Sequence, residues 1–274
     1  MVPLHELDAI AVRDLIARGE VSPVDVLDAC LAQTDLIDPV VNALVTRADD
    51  RARAEATAAE AAVRRGDPLG PLHGVPVAIK DLQSTEGITT TFGSAELADN
   101  VPSEDDPIVA KIRAAGGIVV GKTNIPEFSI GANTLNRLFG ATGNPFDPSR
   151  SCGGSSGGSG VALATNMVPL ATGSDHGGSL RIPACYSGVV GYRATPGVVP
   201  HEKRTMAQTF YSVQGPMGRT VDDTALLLSV IAQRTSRNDP MAFPLDAAAL
   251  AALDDLAALD LRVGWTEDLG GVLV

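Results

Sequence analysis

Serines flanked by glycines are the residues of this sequence best suited to covalent chemistry. Ser155 and Ser156 lie in the block CGGSSGGSG, and Ser179 follows two glycines in SDHGGSLRIP. Glycine lets the backbone approach closely, although each glycine costs about 0.5–1 kcal/mol of entropy within regular structure. A hydroxyl beside free backbone N–H groups supplies the nucleophile and the oxyanion donors of acyl transfer. The apolar run 161–171 between the two blocks argues against a flexible linker.

Lys80 is the candidate base for such a serine. It ends the segment GVPVAIKD, which is typical of a buried strand over 75–79. A lysine in apolar surroundings loses hydration, so its pKa falls toward a value useful for a base. Alternatively, its head group reaches water or pairs with Asp81. The histidines form no arrangement that suggests a triad; they are His5, His73, His176 and His201.

Six motifs follow one another along the chain. They are GVPVAIKD around Lys80, GKTNIPEFS from Gly121, CGGSSGGSG, SDHGGSLRIPA from Ser174, GVVGYRATPG from Gly188 and QGPMGRTVDD from Gln214. Together they resemble the amidase signature family of serine hydrolases, and the resemblance covers essentially the whole chain. It implies a layered α/β/α fold with a mixed, twisted central sheet. The alternation of strand and helix patterns also predicts a layered α/β fold.

The resemblance implies a Ser-cisSer-Lys triad. Ser179 is similar to the family's nucleophile, and Ser155 to the serine whose peptide bond with Gly154 is cis. Neutral Lys80 would draw a proton through Ser155 while Ser179 attacks the amide carbonyl. The relay would then run backward to protonate the departing amine, and water would hydrolyse the acyl-enzyme by the same route.

The resemblance also implies the groups around the triad. Four consecutive backbone N–H groups are expected to form the oxyanion hole; they belong to His176, Gly177, Gly178 and Ser179. Four further residues are expected to support the site, namely Gly154, Ser156, Asp175 and Arg181. Asp175 is expected to hold the glycine–serine turn by hydrogen bonds, and Arg181 is expected to be structural.

Two other motifs match the sequence by chance. Residues 153–157 satisfy G-x-S-x-G, the pattern of a nucleophile elbow, which requires an acid and then a histidine later in the chain. The only later histidines are His176 and His201, and Asp175 directly adjoins His176, so a triad from these neighbours is not expected. Residues 116–123 read GGIVVGKT and satisfy the P-loop pattern. The β-branched run 118–120 predicts a strand there and no phosphate-binding loop.

Composition narrows the class of protein further. The formal net charge of −12 disfavours binding to nucleic acid and to anionic membranes. Cys30, Cys152 and Cys185 form no C-x-x-C pair, so we expect neither a disulfide nor a metal site. The few cysteines and the lack of a signal peptide favour the cytoplasm. We expect a small-molecule amide as partner and no cofactor, and an exposed strand edge could support a homodimer.

Hydrophobic periodicity and helix caps predict the elements. Helices are expected at 6–18, 23–37, 48–65, 106–115, 157–166, 221–232 and 245–259. Strands are expected at 75–79, 118–121, 168–172 and 261–265. Ser22 and Thr220 are the expected N-caps of the second and sixth helices.

We expect a single amidase domain over 1–274. It would comprise an N-terminal helical region over 1–66, a core with the motifs over 67–234, and a loop, helix and strand over 235–274. The late strand suggests a fold that is incomplete at its C-terminus. The expected function is hydrolysis of a carboxamide to a carboxylic acid plus ammonia or amine. Two alternatives stay open: the A-type subunit of a tRNA-dependent amidotransferase, and a truncated protein without activity.

Overall fold

A mixed sheet with helices on both faces forms the centre of the molecule. The computed structural model describes residues 2–202, 209–232 and 238–244, together with residues 262, 264 and 266. The helices in these ranges are α1 (Ala9–Ala17), α2 (Pro23–Val41), α3 (Asp49–Arg65), α4 (Pro107–Ala114), α5 (Gly157–Ala164), α6 (Arg181–Ser187) and α7 (Val221–Ile231). The strands are β1 (Leu44–Arg47), β2 (Pro76–Lys80), β3 (Ile118–Thr123), β4 (Leu135–Asn136), β5 (Gly140–Ala141), β6 (Leu170–Asp175), β7 (Val190–Gly191) and β8 (Val213–Gly218). Short 3-10 helices lie at Leu4–Glu6, Ala95–Leu97 and Glu127–Ser129.

The strand order of the main sheet is β1-β3-β2-β6-β8-β7, and β4 pairs with β5 in a separate hairpin. Strand β2 is parallel to both β3 and β6. Strands β1 and β8 join the sheet antiparallel to their neighbours, and β7 is antiparallel to β8. The predicted layered fold with a mixed central sheet is confirmed. The parallel centre also brings the carboxyl ends of β2 and β6 side by side.

Each face of the sheet is covered by its own group of helices. Val77 and Ile79 belong to the core cluster formed with α1, α4 and α7. Ala78, which lies between them in the sequence, belongs to the cluster formed with α2, α3, α5 and α6. Successive side chains of a strand point to opposite faces, so this alternation follows directly from strand geometry. The predicted division of the chain at residues 66 and 234 stays a prediction.

Two predicted helix starts are confirmed by their caps. The Ser22 hydroxyl accepts a hydrogen bond from the Val24 N–H at 3.0 Å, with Pro23 at the first helical position. The Thr220 hydroxyl accepts from the Asp223 N–H at 3.1 Å. Such caps satisfy backbone donors that have no partner within the helix.

A β-bulge interrupts the pairing of β2 with β3. Val77 pairs with Val119, whereas Ala78 pairs with Gly121, so one residue of β3 is left over. Gly121 has φ +155°, and a methyl group there would overlap the carbonyl oxygen of Thr46. Because side-chain direction alternates along a strand, the extra residue reverses the alternation beyond it. Only glycine fits this position without displacing β1.

Beyond the bulge, each residue of β3 faces the side of its β2 partner. Lys122 pairs with Ile79, and Thr123 pairs with Lys80. The Thr123 hydroxyl lies 2.7 Å from the Ser159 hydroxyl on α5. Thr123 therefore shares the α5 side of the sheet with Lys80, and Lys122 faces the opposite side.

Several elements differ from the sequence prediction. Strands β1 and β8 and helix α6 are not among the predicted elements, and β6 lies at 170–175 where 168–172 is expected. The N-terminal pattern expected as one helix over 6–18 is a 3-10 helix followed by α1, and α2 continues four residues past its predicted end at 37. The helix predicted at 245–259 and the strand predicted at 261–265 fall on residues that the structure does not describe as elements. Among the helices in the described ranges, none combines the length and the hydropathy that a membrane span requires.

Candidate active site

Lys80 occupies the carboxyl end of β2, and its side chain is fully buried. Its Nζ atom lies 2.8 Å from the Ser155 hydroxyl, 2.9 Å from the Ser156 hydroxyl and 2.8 Å from the Ser174 hydroxyl. The alternative in which Lys80 reaches water or pairs with Asp81 is therefore wrong. Lys80 reaches this position because it is the last residue of β2. Ser155 and Ser156 directly precede α5, in the helical layer that packs on this side of the sheet.

Burial lowers the pKa of Lys80 to about 7, while the negative charge of Asp175 acts in the opposite direction. Hydroxyl groups replace water poorly as partners of an ammonium ion, so desolvation favours the neutral amine. A group with a pKa near the working pH accepts and returns protons efficiently. Burial therefore shifts the pKa of Lys80 in the direction that a general base requires.

The serine block lies between Lys80 and the start of α5. The Gly154–Ser155 peptide bond is cis, as the resemblance implies. The Ser155 side chain is almost completely buried. The Ser156 N–H donates to the carbonyl of Ser179 at 3.2 Å, which ties the first serine block to the second. The two blocks that stand out in the sequence are therefore neighbours in space.

Ser179 is half-buried and lies in the turn between β6 and α6. It lines a pocket of about 480 Å³ together with Ser155 and Ser174. The other lining residues among those described are Leu82, Phe128, Ser129, Ile130, Gly131, Ala132, Gly154, His176, Gly177, Ile182 and Ser212. None of these described lining residues is an aspartate, glutamate, lysine or arginine. The described lining mixes apolar side chains with five serines and His176.

Asp175 holds the turn that carries Ser179. Its buried carboxylate accepts from the N–H groups of Gly178 at 2.8 Å and Leu180 at 3.2 Å. It also accepts from the guanidinium groups of Arg181 at 3.0 Å and Arg193 at 3.0 Å. Burial by itself raises the pKa of Asp175, but the hydrogen bonds from Arg181 and the two N–H groups lower it to about 2. The Asp175 carboxylate thus joins two N–H groups of the turn to the Arg181 guanidinium.

The N–H groups around Ser179 have different surroundings. His176 and Gly177 are exposed and line the pocket. The Gly178 N–H, expected as an oxyanion donor, instead donates to the Asp175 carboxylate at 2.8 Å. The His176 ring packs against Tyr211, with ring centroids 5.5 Å apart. The Gly178 N–H is therefore engaged, whereas the described hydrogen bonds engage no N–H of His176, Gly177 or Ser179.

The site contains residues that the sequence prediction does not assign. The Lys80 N–H donates to the Thr172 hydroxyl at 2.9 Å, and that hydroxyl donates to the side-chain oxygen of Gln83. Thr172 and Ser174 are two residues apart on β6 and so lie on the same face of that strand. Thr172 contacts the backbone of Lys80, and Ser174 contacts its Nζ atom. This alternation of polar residues is the signal that could have identified them. Arg193 lies in the motif GVVGYRATPG, but nothing in the sequence connects it to Asp175.

Among the described residues, no cluster of three histidine, cysteine, aspartate or glutamate side chains could hold a metal ion.

Comparison with known proteins defines the class of this chain. A family model described as Amidase matches residues 25–273. An acylamidase of Rhodococcus erythropolis is 38% identical over 269 residues, which is 97% of this chain and 56% of the relative. The A-type subunit of a glutamyl-tRNA(Gln) amidotransferase from Salinispora arenicola is 42% identical over 276 residues, which is 99% of this chain and 56% of the relative.

Solved structures show the same fold. A bacterial aryl acylamidase described as an amidase signature enzyme matches with a TM-score of 0.87 and 34% identity, over 92% of this chain and 52% of that one. The peptide amidase from Stenotrophomonas maltophilia matches with a TM-score of 0.82 and 32% identity, over 90% of this chain and 52% of that one. Both structures are of amidases, and both match the α/β fold of this chain. The chain belongs to the amidase signature family, and it spans about half the length of the relatives it matches.

Proposed function

We propose that this chain carries the catalytic centre of an amidase that hydrolyses a small carboxamide to a carboxylic acid plus ammonia or amine. The observation that carries the proposal is the buried Nζ atom of Lys80, held within 2.9 Å of three serine hydroxyls beside a pocket that Ser179 also lines. A desolvated amine next to hydroxyls at the edge of an open pocket is the arrangement that activates a serine nucleophile.

The proposed reaction has two halves. Neutral Lys80 accepts the proton of Ser155, Ser155 accepts the proton of Ser179, and the Ser179 oxygen attacks the amide carbonyl. The oxyanion is stabilised by backbone N–H groups of the turn, for which His176 and Gly177 are the pocket-facing candidates. The same relay protonates the leaving amine. Water then repeats the sequence at the acyl-enzyme and releases the carboxylic acid.

Treatment with a fluorophosphonate, followed by mass spectrometry of the intact protein, tests the nucleophile. We expect one adduct on the wild-type chain and none on Ser179→Ala. Ser149→Ala is the matched control, because Ser149 is an exposed serine whose hydroxyl donates to Asp147 in a surface turn. Its adduct should be unchanged. If the folded wild-type chain forms no adduct, the non-catalytic alternative takes precedence.

The amidotransferase alternative is supported by the 42% identity to the Salinispora arenicola protein. The uncharged lining of the described pocket favours a neutral amide over a zwitterionic one such as glutamine. Ammonia release from benzamide and from glutamine distinguishes the two functions. The amidase proposal expects release from benzamide by the chain alone. Release from glutamine only, and only with a co-purifying partner, would contradict it.

Three further expectations belong to this proposal; they concern the compartment, the oligomeric state and nucleic acid. The three cysteines are free thiols, which suits a reducing compartment such as the cytoplasm. A homodimer stays a prediction, and light scattering after size-exclusion chromatography tests it. The absence of nucleic-acid binding is likewise a prediction, supported by the net charge of −12.

A further inference from the structure

Among the described residues, two lysines are fully buried, and of these two Lys80 contacts the serines of the site. Lys122 on β3 has no exposed surface, like Lys80 on the neighbouring strand. Because of the bulge at Gly121, Lys122 faces the side of the sheet opposite to Lys80. Burial lowers the pKa of each lysine to about 7. Burial is therefore the same for the two lysines, and they differ in their hydrogen-bond partners.

The Nζ atom of Lys122 is surrounded by acceptors. It donates to the carbonyl of Gln83, to the Thr85 hydroxyl at 2.8 Å and to the Thr90 hydroxyl at 3.1 Å. The Thr85 hydroxyl itself donates to the Gln83 carbonyl, and the Thr90 hydroxyl to the Ile88 carbonyl, each at 3.1 Å. All three partners thus present lone pairs to Nζ. An ammonium group has three protons to match them, and a neutral amine has only two.

The surroundings of Lys80 differ in this respect. Its three partners are serine hydroxyls, which can donate as well as accept. Ser156 directs its proton to the Ser174 carbonyl at 3.3 Å. In the described hydrogen bonds, Ser155 and Ser174 do not donate their hydroxyl protons to another group, so either can turn its proton toward a neutral amine. Lys80 can be hydrogen-bonded in both protonation states, and Lys122 is fully matched only as a cation.

Charges near the two lysines point the same way. Three carboxylates raise the pKa of Lys122, and one guanidinium lowers it; these groups are Asp81, Asp106, Asp105 and Arg113. Lys80 receives such a contribution from Asp175. More carboxylates therefore act on a cation at Lys122 than on one at Lys80, although burial, the largest effect at both positions, lowers each pKa to about 7.

Lys122 is connected to the backbone of Lys80 through Gln83. The Gln83 N–H donates to the Lys80 carbonyl at 3.0 Å. The Gln83 side chain accepts from the Thr172 hydroxyl, which in turn accepts from the Lys80 N–H at 2.9 Å. Both backbone groups of Lys80 are thus held by Gln83, directly or through Thr172. The Gln83 carbonyl is the group that Lys122 binds.

We propose that Lys122 is a positioning residue, an ammonium group that keeps its proton to higher pH than Lys80, holds Gln83 and the segment 81–91, and so fixes the backbone of Lys80. Its charge state is independent of the proposed function. Its importance for reactivity rests on the proposed role of Lys80 as the base.

Direct titration of the lysines tests the charge state. The sequence has four lysines, Lys80, Lys111, Lys122 and Lys203. Protein labelled with ¹³C-lysine should therefore give four Cε signals, and Lys80→Met and Lys111→Met assign two of them. We expect Lys122 to titrate at least about one pH unit above Lys80. Titration of Lys122 together with Lys80, or below it, would overturn the proposal, whether or not the chain is active.

The rate of fluorophosphonate labelling of Ser179 tests the positioning. We expect Lys122→Met and Thr90→Val to slow labelling by about 10-fold or more in the folded protein. Lys111→Met is the matched control, since the Lys111 ammonium also binds a carbonyl, that of Ile231 at 2.8 Å, but at the end of α7. It should label within about twofold of the wild type.

Thr90→Val keeps the test decisive if Lys122→Met does not fold. It removes one acceptor from the Lys122 ammonium with little change of shape. Labelling of a folded Thr90→Val at the wild-type rate would overturn the positioning role. A wild-type chain that is not labelled at all would reject the proposed function instead, and the titration would still decide the charge state.

Discussion

At the residue scale, Lys80 has exchanged water for three serine hydroxyls. The hydroxyls compensate its charge only partly, which is why burial lowers its pKa to about 7. A lysine in the unfolded chain has a pKa of about 10.4. The folded protein therefore gives up a proton that the unfolded chain retains between these two pH values. This difference links the stability of the fold to the same proton that the proposed reaction uses.

Replacing Lys80 by methionine should remove that linkage. Between pH 7 and 9 the unfolded chain keeps a proton on Lys80 that the folded chain progressively loses, so Lys80 makes wild-type stability rise with pH, by at most about 1.4 kcal/mol per pH unit. Lys80→Met lacks this gain. Urea unfolding at pH 7, 8 and 9 should therefore show the wild type gaining on the variant as pH rises. Parallel curves for the two proteins would contradict the prediction.

Residues with a proposed role in the reaction can be predicted where they lie in a recognisable sequence motif. Motifs assign Lys80, Ser155 and Ser179, and the structure brings Lys80 and Ser155 into contact and places Ser155 and Ser179 at one pocket. Gln83 and Thr172 are not assigned, because their importance depends on which strands are neighbours. That information is absent from a local sequence pattern.

At the element scale, helices and strands can be predicted where the sequence contains a helix cap, a hydrophobic period or an apolar run. Caps and periodicity predict α2, α3, α4 and α7, and apolar runs predict β2 and β3. Strand β8 escapes prediction because its sequence VQGPMG has the glycine and proline content of a loop. It becomes a strand by pairing with β6 along its whole length. Tertiary pairing overrides propensity there.

The bulge in β3 makes a prediction about glycine. Gly121→Ala should destabilise the fold by about 3 kcal/mol, because the new methyl group meets the Thr46 carbonyl at a φ that disfavours alanine. Gly140→Ala is the control, since Gly140 also has a positive φ of +81° but open space around it. It should cost about 1 kcal/mol. Equal shifts of the thermal midpoints would argue against a steric requirement at the bulge.

At the scale of the whole molecule, one carboxylate joins distant segments around the site. Asp175 ends β6, Arg181 begins α6 and Arg193 follows β7, and both arginines bind this one aspartate. Arg193 also donates to the carbonyl of Tyr211, just before β8. The sequence predicts the local part of this arrangement, within SDHGGSLR. The long-range part depends on the sheet order.

Asp175→Asn should therefore weaken both stability and reactivity. Loss of charge-assisted hydrogen bonds from two arginines should cost about 2–3 kcal/mol in urea unfolding. Fluorophosphonate labelling of Ser179 should slow by about 10-fold, because the turn is no longer braced. Asp147→Asn is the control: Asp147 accepts similar bonds from Ser149 and Arg150, but in a surface turn. A variant of Asp175 that labels like this control would show that the carboxylate does not position Ser179.

The single extra residue in β3 also governs how length changes in this chain would act. Deleting Val120, the residue left over at the bulge, would restore one-to-one pairing with β2. Lys122 and Thr123 would keep their partners and their faces, because the pairing with β2 sets the side on which each residue lies. A regular strand of unchanged length would instead exchange the two faces, with the ammonium group toward α5 and the hydroxyl toward Gln83. Losing the residue and losing only the bulge therefore have opposite consequences for this strand.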